Sequence, residues 1–431
     1  MIDQQTVGLL MVILLGVLLI SGMSIGLSLA FAGVVGLLLT RGWMSADYVL
    51  GSFPYSYTAD IAYIVLPLFL FMGQMAFVSG ISERAFTAAE RIVGHISGGL
   101  AIATVAASAG FAMVCGSSIA SASTIGKVAI PEMLKRGYAN SLAAGCVAAG
   151  GTLGILIPPS GMLVIYSIAT GTSLVQLFVA ALIPGFLTAL LYGLMIYGMV
   201  KFKPHLAGGA NRPRPAIGRV RAILGAWEIA VLFSAVMGTI YLGIATPTEA
   251  SAIGAVVATM LALKEPGNRL SIVRSALLET GSATASIFVL ILGAGLFSVA
   301  LSTTQIPVQI ASWISSLSES RYVILVLLLL PYFVMGMFID GISMVLLTMP
   351  IVFPIIRHLN FDPVWFGIIV TKTVEIGLLT PPVGLNAFVV RNVAPQIPLT
   401  DIFRGCVPFV IMEIFIVALL IIFPELTMIG R

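Results

Sequence analysis

Apolar residues fill this chain in stretches of about 17 to 25, the length a helix needs to cross a hydrocarbon core of ~30 Å. They recur from "MIDQQTVGLLMVILLGVLLI" to the end, separated by short polar segments. The pattern predicts an all-α polytopic membrane protein. The opening stretch carries Asp3 rather than a basic n-region and shows no small-residue cleavage site, so it reads as a retained span. The longest polar segment, "KFKPHLAGGANRPRPAIGRVR" (201–221), holds six Lys or Arg and no acid, which places it on the cytoplasmic side. Counting spans outward from it puts "EMLKRGY" (132–138) and the segment of Arg391 and Arg404 on that side as well, with both termini periplasmic.

Two spans are interrupted in the same way. Sliding the chain by 223 positions pairs Pro131 with Pro354, Gly154 with Gly377, Pro158 with Pro381, Pro159 with Pro382 and Gly161 with Gly384. A proline pair removes two backbone donors and clashes with the preceding turn, so "GILIPPSGML" and "GLLTPPVGLN" predict helices broken at mid-span. Broken backbone is tolerated at that depth only where protein or a water-filled cavity surrounds it. It exposes carbonyls that suit a cation and a half-helix N-terminus that suits an anion. The topology runs the two copies in opposite directions, so the repeats are inverted.

Upstream of each break lies an apolar segment suited to a re-entrant helical hairpin, about 97–136 and 321–360. Their tips are "VCGSSIASAST" and "FIDGISM". The same offset lands Ser117 on Asp340. An acid inside an apolar stretch costs about 2.5 kcal/mol or more on insertion scales and is a functional candidate by default, although Asp340 also suits a helix N-cap. The expected organisation is N-terminal scaffold helices over 1–66, a first repeat over 67–203 with its broken helix at about 140–172, and a basic linker over 204–222. A scaffold pair over 223–273, a second repeat over 274–400 with its broken helix at about 362–394, and a C-terminal span over 401–431 complete it.

Composition narrows the function. The 431 residues are 59% hydrophobic and 9% charged, with mean hydropathy +1.12, against roughly 25% charged in an average soluble domain. The net charge of +4 is explained by loop orientation rather than by nucleic acid. Cys115, Cys146 and Cys406 lie in apolar runs without metal or redox spacing. Neither HExxH nor GxxxxGK[ST] occurs, so an enzyme or an ATP-driven pump is not expected. Lys372 and Glu375 share a helix face as a structural ion pair, Glu249 orients a scaffold helix, and the three histidines fall near membrane boundaries. Two symmetric hairpins facing two symmetric breaks point to a secondary transporter with alternating access.

The segments "GGTLGILIPPS", "IPEMLKRGY", "GIATPTEAS" and "EIGLLTPPVGLNAFVV", in this order, closely resemble the large membrane subunit, the DctM type, of tripartite ATP-independent periplasmic (TRAP) transporters, from about Pro67 to Pro408. That resemblance implies a sodium-driven importer of organic anions in the bacterial inner membrane. It implies two partners, a small four-helix membrane subunit of DctQ type and a periplasmic binding protein of DctP type. It also implies elevator-type transport and scaffold domains, no cofactor other than Na⁺ as coupling ion, and sodium between hairpin tips and breaks. Here that means Ser117, Ser118, Gly154 and Pro158 in one half, and Gly341, Thr380, Pro381 and Gly384 in the other. The substrate is expected near Ser160, Asp340 and Asn386. "PPSG" and "PPVG" differ after the prolines, so the half-sites are not equivalent. The alternatives are a self-sufficient sodium/dicarboxylate symporter of the divalent-anion family and a passive anion channel.

Overall fold

A computed structural model describes residues 3–208, 226–264, 269–304, 306, 309 and 320–428. Residues 209–222 of the expected linker lie outside the described residues. Every regular element described is helical. Among the described residues, six helices are long and apolar enough to cross a membrane, seven if the first broken helix counts as one span.

The first part of the chain builds a long-helix frame: α1 (Gln4–Ile20), α2 (Ile25–Thr58) and α3 (Val65–Val78), joined later by α10 (Trp227–Phe233), α11 (Pro247–Ala262) and α12 (Arg269–Ser302). α12 packs along α2 and α3, and α11 along α3. α11 starts at a capping box: the Thr246 side chain accepts from the Glu249 amide while the Glu249 carboxylate accepts from the Thr246 amide at 2.8 Å. Glu249 therefore fixes where this frame helix begins, satisfying amides that no helical carbonyl can reach.

Two helix–turn–helix hairpins and two interrupted helices make up most of the rest. The first hairpin is α5 (Gly99–Cys115) and α6 (Ser118–Lys135), followed by α7 (Asn140–Leu156) and α8 (Gly161–Thr170) on either side of Pro158–Pro159. α9 (Leu174–Phe202) completes this half. The second hairpin is α13 (Arg321–Gly336) and α14 (Gly341–His358), followed by α15 (Pro363–Leu379), α16 (Leu385–Val393) and α17 (Leu399–Ile422). The α7–α8 pair bends by 40° at its break. Helices α5 and α6 fall within 97–136, α7 and α8 within 140–172, α13 and α14 within 321–360, and α15 and α16 within 362–394.

The halves interlock. The Tyr166 hydroxyl of α8 donates to the Pro363 carbonyl at the start of α15 at 2.6 Å, and Asn386 Nδ2 of α16 donates to the Ala148 carbonyl inside α7 at 3.1 Å. Trp365 Nε1 of α15 donates to the Leu420 carbonyl of α17 at 2.9 Å. An amphipathic helix, α4 (Ile81–Val93), ties the first hairpin to the frame. Its Glu90 pairs with Arg136 at the base of α6 at 2.6 Å, and its Arg84 pairs with Glu228 of α10 at 3.1 Å.

Candidate functional site

The glycines that flank each proline pair have a geometric reason to be there. A Cβ on Gly154 would lie 2.6 Å from the Ser117 carbonyl oxygen, and one on Gly377 would lie 2.5 Å from Gly336 Cα, so only glycine lets the hairpin approach the broken helix this closely. After the prolines, the Gly161 amide donates to the Gly116 carbonyl at 3.3 Å and the Gly384 amide donates to the Met337 carbonyl at 3.0 Å. The repeated sequence signature is therefore a docking joint between hairpin and break, made once in each half.

The prolines also decide which carbonyls go without partners. Pro158 and Pro159 offer no N–H to the carbonyls of Gly154 and Ile155, four residues back. Ser160 repairs one of these: its hydroxyl donates to the Ile155 carbonyl and accepts from the Leu163 amide at 3.3 Å, capping α8. In the second half the Thr380 amide reaches back to the Gly377 carbonyl at 3.0 Å. Val383 stands where Ser160 stands in the first copy and has no hydroxyl for the Leu378 carbonyl. α16 begins instead at Gly384, in the left-handed region at φ 58°, without a side-chain cap.

A cavity of about 240 Å³ lies where both hairpin turns meet the first break and the frame. Its wall includes Ser117 and Ser118 from the first turn, Asp340 and Gly341 from the second, Pro159 and Gly161 from the first break, and Leu66 and Phe69 from α3, with Ala283 and Ile287 from α12. Three helices begin at this wall: α6 at Ser118, α8 at Gly161 and α14 at Gly341. Each helix start carries amides without helical acceptors and roughly half a positive charge. The lining contains no Lys or Arg.

Asp340 is both a helix cap and part of the cavity wall. It is the N-cap of α14, accepting from the Ser343 amide at 3.1 Å and from the Ser343 hydroxyl at 2.5 Å, and it lines the cavity. Ser117 caps α6, accepting from the Ala120 amide at 3.4 Å. Of the other residues expected for substrate, Ser160 and Asn386 are fully buried and do not line the cavity. Ser160 is turned into the α7–α8 joint. Asn386 binds α7 across the interface between the halves, and its Oδ1 has no hydrogen-bond partner.

Among the expected sodium residues, the structure brings Ser117, Ser118 and Gly154 together against the buried Pro158. Thr380, Pro381 and Gly384 cluster at the second break and do not line the cavity, and Pro381 and Pro382 are exposed. The two breaks therefore do not share one pocket: the first is buried beside the cavity and the second lies apart from it. Gly341 belongs to the cavity side, where a Cβ would meet Met162 Sδ of α8 at 2.9 Å.

One group went largely unseen in the sequence. Lys372 and Glu375 pair at 2.6 Å as expected, but Glu413 of α17 adds a second carboxylate 2.5 Å from the same ammonium, and Tyr192 of α9 donates to Glu413 at 2.5 Å. The argument that singled out Asp340, an acid inside an apolar run, applies equally to Glu413 in "VIMEIFIV" and would have found it.

The sequence matches the family described as "Tripartite ATP-independent periplasmic transporter, DctM component" over residues 12–426. It is 39% identical over 356 residues to the C4-dicarboxylate TRAP transporter large permease protein DctM of Pseudomonas aeruginosa, covering 82% of each chain. It is 31% identical to the sialic acid TRAP transporter large permease protein SiaM of Vibrio cholerae, covering 95% of each, and 30% identical to the ectoine TRAP transporter large permease protein TeaC of Halomonas elongata, covering 96% of each. In fold it is similar to the crystal structure of the Alcanivorax borkumensis YdaH transporter, with a TM-score of 0.66, 15% identity, and 97% of this chain and 98% of that one covered. Matched over almost its whole length and to permeases rather than enzymes, the chain belongs to the DctM family of TRAP transporter large permeases.

Proposed function

We propose that this chain imports an organic anion across the bacterial inner membrane, coupled to sodium, and that the anion occupies the cavity between the two hairpin turns. The observation that carries this reading is the convergence of the N-termini of α6, α8 and α14 on one cavity without a basic side chain. Helix N-termini present fixed N–H donors and positive potential to an anion. Asp340 is the exception in that wall, and a carboxylate substrate beside it calls for a compensating cation.

Carbonyl and hydroxyl oxygens suit sodium, and the residues present fit it. Pro158 deprives the Gly154 carbonyl of its helical donor, Ser117 and Ser118 sit against Gly154, and the Thr380 hydroxyl donates to Ile376 while keeping lone pairs free. Ser117, Ser118, Gly154 and Pro158 would hold one ion beside the cavity, and Thr380, Pro381 and Gly384 a second at the other break, from which Gly341 stands apart on the cavity wall. Bound at the first of these, sodium would supply the positive charge that Asp340 and the anion both lack.

The cavity also divides the molecule. On one side are the hairpins and the first break, on the other α3 and α12 of the frame. That division supports an elevator-type cycle, in which hairpins and broken helices move as a body against the frame. The relatives' names say TRAP transporter, so a small membrane subunit and a periplasmic binding protein complete the machine, the latter delivering the anion.

The test is uptake into proteoliposomes containing this chain, its small subunit and the binding protein. Asp340→Ala is expected to abolish uptake driven by a sodium gradient while leaving assembly intact, and normal uptake would remove Asp340 from the site. Uptake indifferent to the gradient would indicate a channel, and uptake without the binding protein would indicate a self-sufficient symporter.

A further inference from the structure

The cluster around Lys372 has one charge too many. Lys372, Glu375 and Glu413 all have fully buried side chains, and the ammonium lies 2.6 Å from Glu375 Oε2 and 2.5 Å from Glu413 Oε2. It also donates to the Thr188 hydroxyl at 3.1 Å. One cation therefore faces two carboxyl groups.

Among the described residues, nothing else in the surroundings supplies the missing positive charge. Four helices enclose the cluster. α15 contributes Lys372 and Glu375, α17 contributes Glu413, α9 contributes Thr188 and Tyr192, and α7 contributes Thr152 beside the Tyr192 hydroxyl. The remaining titratable groups on the buried faces of α7 and α17 are the thiols Cys146 and Cys406.

The hydrogen-bond pattern shows the same deficit. An ionised carboxylate only accepts hydrogen bonds. Tyr192 donates to Glu413 Oε1 and Lys372 donates to Glu375 Oε2, while Glu413 Oε2 faces the ammonium at 2.5 Å without a hydrogen bond. Glu375 Oε1 and Glu413 Oε2 receive no hydrogen-bond donor, although both carboxyl groups touch the same ammonium. Two carboxylates gathered on one ammonium repel, and an uncompensated charge removed from water costs far more than an unpaired polar group. A proton on either carboxyl removes the surplus charge and supplies a donor where oxygens now lack one.

We infer that Glu375 and Glu413 share one bound proton, held against Lys372, so that this four-helix junction is a proton-binding site. The site stands apart from the cavity, none of whose lining residues belongs to it. It requires neither sodium nor the transported anion.

Infrared difference spectroscopy of the purified full chain in lipid nanodiscs tests this directly. At neutral pH the wild type is expected to show a carboxylic-acid C=O stretch that shifts down in D2O. Glu413→Gln and Glu375→Gln should each fold and each lose that band, because an amide replaces the protonated acid and leaves the other carboxylate ionised against Lys372. A band retained in both variants overturns the inference. So does a band that appears in the wild type only when Na⁺ is withdrawn, which would put a metal ion in the proton's place. Failure of both single variants to fold also overturns it, since it would mean that both negative charges are required.

Discussion

The two helix breaks descend from one sequence pattern and end in different chemistry. In the first, every residue from Gly151 to Ser160 is buried, Ser160 caps the outgoing helix, and α7 carries no charge anywhere along its length. In the second, Pro381 and Pro382 are exposed, the outgoing helix starts at a left-handed glycine, and α15 carries a lysine and a glutamate with fully buried side chains. The offset of 223 places Ala149 opposite Lys372, Thr152 opposite Glu375, and Ser117 opposite Asp340. All three ionisable groups fall in the second copy. Shared backbone geometry thus keeps the hairpins docked in both halves, while side chains assign buried charge to one half and a closed, neutral joint to the other.

The sharpest way to break this comparison is to neutralise the charged copy. Lys372→Met leaves Glu375 and Glu413 without their cation, and removing one partner of a buried ion pair typically costs about 3–5 kcal/mol. The corresponding change in the first half, Thr152→Val, removes a hydroxyl that donates to the Ala149 carbonyl at 2.8 Å and should cost about 1 kcal/mol. Thermal unfolding of both variants in detergent reads the difference. Equal losses would mean that the charges of α15 do not distinguish the two halves.

The next effect tests what the halves share. Gly377→Ala and Gly154→Ala each drive a methyl into backbone atoms of the facing hairpin, and overpacking of this kind costs about 1–3 kcal/mol. Because the same joint is made twice, the two variants should be destabilised alike and should both lose uptake. A silent Gly154→Ala would show that the first hairpin does not depend on its close approach.

These joints were legible in the sequence because backbone chemistry is local. Proline lacks a donor wherever it stands, so the breaks follow from spacing alone, while the flanking glycines showed only as repeated positions and their close approach to the hairpins did not. Asp340 was legible for a similar reason: an acid in an apolar run needs an explanation. What spacing could not show is direction. Nothing in "PPSGML" says that Ser160 turns into the joint rather than toward the cavity, since that depends on the Ile155 carbonyl which Pro159 leaves without a donor. Nor does "GLNAF" reveal that Asn386 spends its amide on Ala148, 238 positions away. The meeting of Glu413 and Tyr192 with Lys372 depends on three helices packing together, and only Glu413 left a trace in its own segment.

The smallest expected effect concerns the residue that makes the joints differ. Ser160→Ala removes both the cap of α8 and the donor to the Ile155 carbonyl, and loss of a side-chain cap costs about 1 kcal/mol. Val383→Ser offers the second break the same hydroxyl. If the joints differ because of this one position, Val383→Ser should protect the Leu385 amide and its neighbours from hydrogen exchange, as Ser160 protects the start of α8, while Ser160→Ala should expose the amides near Leu163. If Val383→Ser leaves exchange at the second break unchanged, the left-handed start at Gly384 is set by the docking of its amide on Met337, and the asymmetry belongs to the hairpin rather than to the residue after the prolines.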